Sequence, residues 1–574
     1  MIALFAVTAA GRRAADEVTA ALGASRHELD ELAELWPRLD GAVFFLATGA
    51  TVRLVAPLLG DKRADPGVVC VDEGRRFAVA LCGGHEGGAN ALAGRVAALL
   101  GAQPVVTTAS DAVGAAGLDE LAVQLDAVVV GDAAAAGVAL LDGTAEVVNP
   151  LGFPLPALPP GVTRYGPASE QGAPAATGGT AGDRTPRVRI VVTDRIEDAT
   201  ARVVPRTLVV GIGSARGVPA AAVDDTLRRA LNGLDPLAVR AYASVDRKAD
   251  ELGILTAIAP APLRTYPAAV LADVDVPNPS DVVRAEVGTA SVAEAAALRA
   301  ATELGGDGAP VELVVPKTKG DNVTVAVARI RPRGRLAVVG LGPGADDLRV
   351  PRAAAELRRA SIVVGLDQYV EQIRHLLRPG TQVHASGLGE EEQRAADAVA
   401  LAGKGHAVAL IGSGDAGIYA MGSPALEAAG PDVEVVGVPG VTAALAAAAL
   451  LGAPLGHDHV LISLSDLHTP WTAIERRVAA AAAADLVTCF YNPRSRDRHW
   501  QLVAALDAFR PHRPADTPVG AVRQAGRPGQ RVWTAPLATF DATEVDMLTT
   551  VIVGASTTHM VAGRMVTPRG YRWG

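Results

Sequence analysis

Short runs of Val, Ile, Leu and Ala alternate along most of the chain with longer Ala/Leu/Arg/Glu stretches at helical spacing. That alternation constrains the fold more than any other feature, because it is the pattern of βα units laid on parallel sheets. Residues 2–9 (IALFAVTA) read as a first strand and 16–23 as the helix after it. Strands over 41–47, 68–72 and 77–82, a helix over 89–101 and a strand over 104–108 follow, and 125–132 opens another unit. Hydrophobic residues make up 49% of the 574, enough for several buried cores, while aromatics are only 3%. The expected fold class is α/β, in several domains.

Residues 154–186 interrupt the pattern with Pro and Gly and keep no period, which predicts a flexible insertion. A strand over 187–194 restores it, and fresh strand–glycine-loop starts appear at Gly211 and Gly340. The expected domains are 1–135, a middle region 136–205 containing the insertion, 206–330, and 334–574. A net charge of −9 argues against a groove that tracks nucleic acid. Cys70, Cys82 and Cys489 are far apart, so neither a zinc site nor a disulfide framework is expected. No apolar run approaches a membrane span, and the basic residues of MIALFAVTAAGRR come after its apolar run, the reverse of a secretory signal. These features predict a cytoplasmic protein without membrane contact.

Gly340-Leu-Gly342-Pro-Gly344-Ala345 follows the strand LAVV, and Asp367 comes after the next strand. Two readings stay open on this motif alone: a dinucleotide-binding fingerprint, or a tight strand-to-helix turn with no ligand. Pro343 speaks against the first, since it removes a backbone N–H where a pyrophosphate needs donors.

Three further stretches follow in order: GLGPGADDLRVPRAAAELRRASIVVG, ALIGSGDAGIYAMGSP (409–424) and VVGVPGVTAALAAAALLGAPLGHDH (435–459). This series resembles the tetrapyrrole methyltransferases, whose fold is two α/β lobes around a cleft for S-adenosylmethionine. Residues 461–478 (LISLSDLHTPWTAIERRV) and 487–502 (VTCFYNPRSRDRHWQL) resemble the precorrin-3B C17-methyltransferase branch. The resemblance spans about 334–574. It implies a methyl-donor pocket lined by Pro343, Gly414, Asp415, Ile418, Thr442, Ala443 and Asn492, a tetrapyrrole substrate and a homodimer formed through this region. Ala416 departs from the family's usual Pro. Asp415 can accept from ribose or amino groups, or simply close an Asx turn.

Methylation at C17 is accompanied in the family by ring contraction, which requires proton transfers. The candidates are His457, Asp458, Ser463, Ser465, Asp466 and His468, with strand capping as the alternative for His457-Asp458-His459. No third ligand accompanies that HxH pair, so no metal is expected. Arg494 and Arg496 are candidate partners for the substrate's carboxylates, or else a solvated basic loop.

In the first half, Thr48–Thr51 and Gly83–Asn90 lie at the ends of predicted strands, where α/β proteins place ligands. Arg53, Lys62 and Arg63 are candidate carboxylate partners, balanced by Asp61 and Asp65. Residues 43–111, with VVGIGSARGVP (209–219), SVDRKADELGILTAIA (244–259), VGTASVAEAAAL (287–298) and VVPKTKGDNVTVAVA (314–328), resemble the cobalt-precorrin-5A hydrolases. Gly83 stands where relatives tend to carry Ser. The resemblance implies opening of a lactone with release of acetaldehyde. His85 or Glu86 is the expected base, with Lys248, Glu251, Lys317 or Lys319 as electrostatic partners. The expectation is therefore a two-activity enzyme of corrin-ring synthesis. The alternative keeps the methyltransferase and makes the N-terminal half a tetrapyrrole-binding module without chemistry.

Overall fold

The computed structural model describes residues 1–60, 64–84, 87–108, 113–167, 188–387, 389–495 and 498–571. Contacts divide the chain into two units, Met1–Pro332 with Arg378–Gly380, and Arg333–Leu377 with Thr381–Gly574.

The first unit holds three sheets. β1 (Ile2–Ala6), β2 (Ala24–His27), β3 (Gly41–Phe45), β4 (Gly67–Val71), β5 (Phe77–Cys82) and β6 (Gln103–Val105) assemble in the order β2-β1-β3-β4-β5-β6. β7 (Ala127–Gly131), β8 (Glu146–Val148), β9 (Thr163–Tyr165), β10 (Arg189–Val192) and β11 (Ala201–Pro205) form the second, ordered β7-β11-β10-β8-β9. The third contains β12 (Leu208–Ser214), β13 (Val239–Val245), β14 (Leu263–Tyr266), β15 (Val311–Lys319) and β16 (Val323–Ile330), ordered β14-β13-β12-β16-β15. A buried ion pair ties the second sheet to the third. Asp194, just past β10, takes two hydrogen bonds from Arg329 on β16, at 2.6 and 2.9 Å.

The second unit has two lobes. In the first lobe, β17 (Gly334–Gly340), β18 (Ile362–Leu366), β19 (Gln382–Ser386), β20 (Ala407–Gly412) and β21 (Val433–Val438) are all parallel, in the order β19-β18-β20-β17-β21. Successive residues of β17 face opposite cores, Leu336 and Val338 one, Ala337 and Val339 the other. Burial on both faces explains why these strands read as unbroken apolar runs. β22 (Gly452–Ala453) joins a small ribbon, order β22-β29-β28, with β28 (His559–Val561) and β29 (Arg564–Val566). The second lobe carries β23 (His459–Ser463), β24 (Val487–Tyr491), β25 (Pro518–Arg523), β26 (Arg531–Pro536) and β27 (Thr549–Val553), ordered β23-β24-β27-β25-β26.

Three sequence expectations change here. The main sheets are mixed, save that of the first lobe: β4/β5, β15/β16 and β25/β26 pair antiparallel. Their connections, 72–76, 320–322 and 524–530, are too short for the crossover that parallel neighbours need. The insertion expected at 154–186 is in part core, because Leu155 and Ala157 are buried against the second sheet and β9 lies within it. Its remainder from 168 onwards lies outside the described residues. Finally, Thr48–Thr51 is no loop but the first turn of a helix, Thr48–Val55.

Candidate functional site

Three loops meet at the carboxyl ends of β17, β20 and β21, the end where open parallel sheets receive ligands. They meet backbone to backbone. A Cβ on Gly340 would stand 2.6 Å from the Gly414 carbonyl oxygen and 2.9 Å from the Gly440 nitrogen. A Cβ on Gly440 would stand 2.1 Å from that same oxygen. Gly342 and Gly414 exchange N–H···O bonds of 3.1 and 2.8 Å, with Gly414 at φ +70°.

Asp415 fastens this junction. One carboxylate oxygen accepts the Gly417 N–H at 2.8 Å and the other the Gly440 N–H at 3.0 Å. The first bond is the Asx turn that sequence left open, and the second reaches across to the next loop. Thr442 sits just beyond, as the residue preceding helix Ala443–Leu451. Its Cα is 3.6 Å from where a Gly414 Cβ would be, so Asp415 and Thr442 share one corner. Thr442 Oγ1 and the Tyr491 hydroxyl share a hydrogen bond of 2.5 Å, and Ala444 N–H donates to the same hydroxyl at 3.0 Å. Burial pushes the Tyr491 phenol above its usual range, with Thr442 and Ala444 acting in the opposite sense. From the second lobe, Arg527 donates to the Pro343 carbonyl at 2.5 Å and to Ser413 Oγ at 2.7 Å.

Beside this corner, between the two lobes, lies a cleft of about 1440 Å³. Tyr369, Arg394 and Ser413 line it from the first lobe, Ser463, Ser465, His468 and Asn492 from the second. Asn492, at φ +49°, donates through Nδ2 to Ser463 Oγ at 3.1 Å. Pro343, Gly414, Asp415, Ile418, Thr442 and Ala443 belong to the corner and its loops rather than to the cleft lining.

Asp466 lies between the cleft-lining Ser465 and Leu467, but its carboxylate accepts from Gln501 at 3.0 Å and sits 4.0 Å from Arg498. Arg498 in turn donates to Ser465 Oγ and to the Asn492 carbonyl, so Asp466 steadies the Asn492 turn from behind. His457 stays outside the cleft, exposed, its Nδ1 accepting the Asp458 N–H at 2.8 Å. That is the strand-capping alternative. Arg494 donates to the Ala542 carbonyl at 3.1 Å, and Arg496 lies outside the described residues.

The sheet order decides the glycine motif. β20 lies between β17 and β18, so Asp367 ends a strand that is not adjacent to the glycine-loop strand, as a dinucleotide fold requires. A short 3-10 turn at Asp346–Leu348 also separates the loop from helix Pro351–Arg359.

In the first unit, His85, Glu86 and Asp61–Arg63 lie outside the described residues. Gly83 and Gly87 pack against main chain: a Cβ on Gly83 would stand 3.0 Å from the Pro66 carbonyl oxygen and one on Gly87 2.8 Å from the Gly67 nitrogen. Glu251 is buried, bound to Lys248 at 3.0 Å and to the Gly217 N–H at 2.9 Å. Lys317 donates to the Asn278 carbonyl at 2.8 Å, and Lys319 is exposed.

Residues 335–541 match the family model of the Tetrapyrrole (Corrin/Porphyrin) Methylases. A probable cobalt-factor III C(17)-methyltransferase of Salmonella typhimurium is 48% identical over 242 residues, covering 41% of this chain and 99% of that protein. The chain belongs to the tetrapyrrole methylases. Another relative in that family, the precorrin-3B C(17)-methyltransferase of a Sinorhizobium species, is 43% identical over 234 residues, 40% of this chain and 91% of that protein. The crystal structure of the methyltransferase CobJ is 38% identical, covering 41% of this chain and 100% of that one at a TM-score of 0.40. Ahead of its methylase region the chain carries two more domains. Residues 30–111 match Cobalamin synthesis G N-terminal and 208–328 match Cobalamin synthesis G C-terminus.

Sequence reasoning missed Arg394, Arg498, Arg527 and Tyr491. Tyr491 and Arg498 at least lie in the stretch 487–502, whereas Arg394 and Arg527 lie outside every motif stretch, and nothing local shows which loop a long side chain will reach.

Proposed function

We propose that the second unit transfers a methyl group from S-adenosylmethionine to C17 of precorrin-3B or its cobalt-bearing counterpart, with contraction of the ring. The observation that carries this reading is the corner shared by Asp415, Thr442 and the glycine loops, opening beside a cleft wide enough for a macrocycle. The donor's chemistry suits the corner: an anchored carboxylate, a hydroxyl and backbone carbonyls surround it, all groups that favour a cationic sulfonium. When bound, S-adenosylmethionine supplies the electrophilic methyl.

Pro343, Gly414, Asp415, Ile418, Thr442 and Ala443 hold the donor, with the Asp415 carboxylate fixing two loops in position. Asn492, steadied by Ser463 and Arg498, faces the cleft and orients the ring. No side-chain nucleophile is needed, because an electron-rich ring carbon attacks. His468 replaces His457 and Asp466 as the proton-transfer candidate, being the cleft-lining histidine among the described residues. Homodimer formation through residues 334–574 is part of the same reading, and light scattering tests it.

For the first unit the reading is hydrolysis of the cobalt-precorrin-5A lactone with release of acetaldehyde, His85 or Glu86 being the base. The alternative, a tetrapyrrole-binding module without chemistry, draws on the buried Lys248–Glu251 pair, in which two of the expected electrostatic partners engage each other. Two measurements on the full chain decide. Mass spectrometry after incubation with precorrin-3B and S-adenosylmethionine should show one added methyl; an unmodified substrate overturns the first activity. Acetaldehyde released from lactone substrate supports the second, and none released leaves the binding module.

A further inference from the structure

Arg394 stands in the first turns of helix Glu391–Gly403 and is only 5% exposed, yet it lines the cleft. Its Nε donates to Ser386 Oγ at 2.8 Å and one Nη to the Gly387 carbonyl, both neutral acceptors. No carboxylate lies within ion-pair distance of it among the described residues. The acids nearest in sequence, Glu391 and Glu392, also line the cleft, and Glu391 accepts from the Gly389 N–H instead. A buried guanidinium without a counter-charge is costly, and such charges are normally paired. Its other terminal nitrogen has no hydrogen-bond partner among the described residues, and the residue lines the cleft together with Tyr369 and Ser413. Burial raises the Tyr369 phenol, Arg527, Arg394 and Ser413 act against that rise and Glu391 adds to it, so both signs of charge reach this wall.

We propose that Arg394 receives a carboxylate arm of the ligand on the first-lobe wall of the cleft, with the Tyr369 and Ser413 hydroxyls flanking it. This rests on the reading of the cleft as a macrocycle site. Glu391 and Glu392 on the same wall disfavour carboxylate arms placed beside them, which biases the orientation of a polyacid ring. Two ligands carry the required chemistry, an acetate or propionate arm of the ring and the amino-acid carboxylate of the methyl donor. The ring arm is favoured because Arg394 lines the large cleft, whereas Asp415 and Thr442 do not.

The test titrates full-length protein with uroporphyrin III, with its octamethyl ester, and with S-adenosylhomocysteine. Wild type should bind the acid and not the ester. Arg394→Gln should weaken acid binding about 10- to 100-fold, as for loss of one charge-assisted contact, and leave S-adenosylhomocysteine binding unchanged. Unchanged acid binding in the variant overturns the proposal, as does equal binding of acid and ester by wild type. Loss of S-adenosylhomocysteine binding alone assigns the guanidinium to the donor and overturns it too. If both ligands are lost, Arg394→Lys decides: recovered acid binding supports the subsite and none overturns it. Wild type that binds no macrocycle refutes the macrocycle reading itself, and the subsite falls with it.

Discussion

Replacing Asp415 by Ala removes two acceptors at once, leaving the exposed Gly417 N–H to solvent and the half-buried Gly440 N–H without its partner. Asn keeps one acceptor but loses the charge that strengthens both bonds. Asp415→Ala should therefore cost about 1–3 kcal/mol in a denaturation experiment, with Asp415→Asn falling between it and wild type. S-adenosylhomocysteine affinity should fall in the same order by calorimetry, because the loops proposed to hold the donor are the ones released. Equal affinity in all three proteins would show that the carboxylate neither touches nor positions the donor.

Among the elements, the turn between helix Trp471–Ala483 and β24 is fastened by Asp485, which accepts from the Ser556 N–H and hydroxyl and pairs with Arg513 at 2.9 Å. Burial alone would raise this carboxyl, but Ser556 and Arg513 together hold it below the usual range. A carboxyl titrating lower in the folded than in the unfolded chain stabilises fully above its ordinary pKa, and loses that contribution as pH falls through the folded value. Thermal melts from pH 7 to pH 3 should therefore show a shallower acid decline for Asp485→Asn than for wild type, and a lower midpoint at pH 7.

Much of the element pattern was readable because burial on both faces writes strands as continuous apolar runs, as in β17 and β20. Strand direction was not readable in that way. β4 and β5 look like any other pair of apolar runs, and only the short connection between them forces the antiparallel pairing. Leu155 and Ala157 were hidden among prolines, because an irregular segment with no period can still bury its side chains. At the site, the glycine motif marks one of the loops that meet at the corner, while leaving the purpose of its glycines open. Gly340 and Gly440 lack side chains because neighbouring backbone occupies that space, a contact between residues a hundred positions apart. Asp466 and His457 failed to reach the cleft for a comparable reason. Alternation along 463–467 sends Ser463 and Ser465 inward and turns Asp466 towards Gln501.

Across the first unit, the Asp194–Arg329 pair joins two sheets through residues far apart in sequence. Asp194 is fully buried and also accepts from the Thr207 hydroxyl at 2.8 Å. Arg329→Met would leave that carboxylate uncompensated and should destabilise by about 3–5 kcal/mol. Adding Asp194→Leu removes the stranded charge, and the double variant should recover much of the loss in chemical denaturation. A double variant no better than the single one would mean that the pair serves packing rather than charge balance.

The glycine junction of the methylase region also limits how such a protein can diversify. Where three main chains touch with no room for a methyl group, mutation has almost no vocabulary, so this corner tolerates little change. New ring substrates must instead be accommodated by the side chains of the facing lobe, and there homologues acting on different macrocycles should diverge.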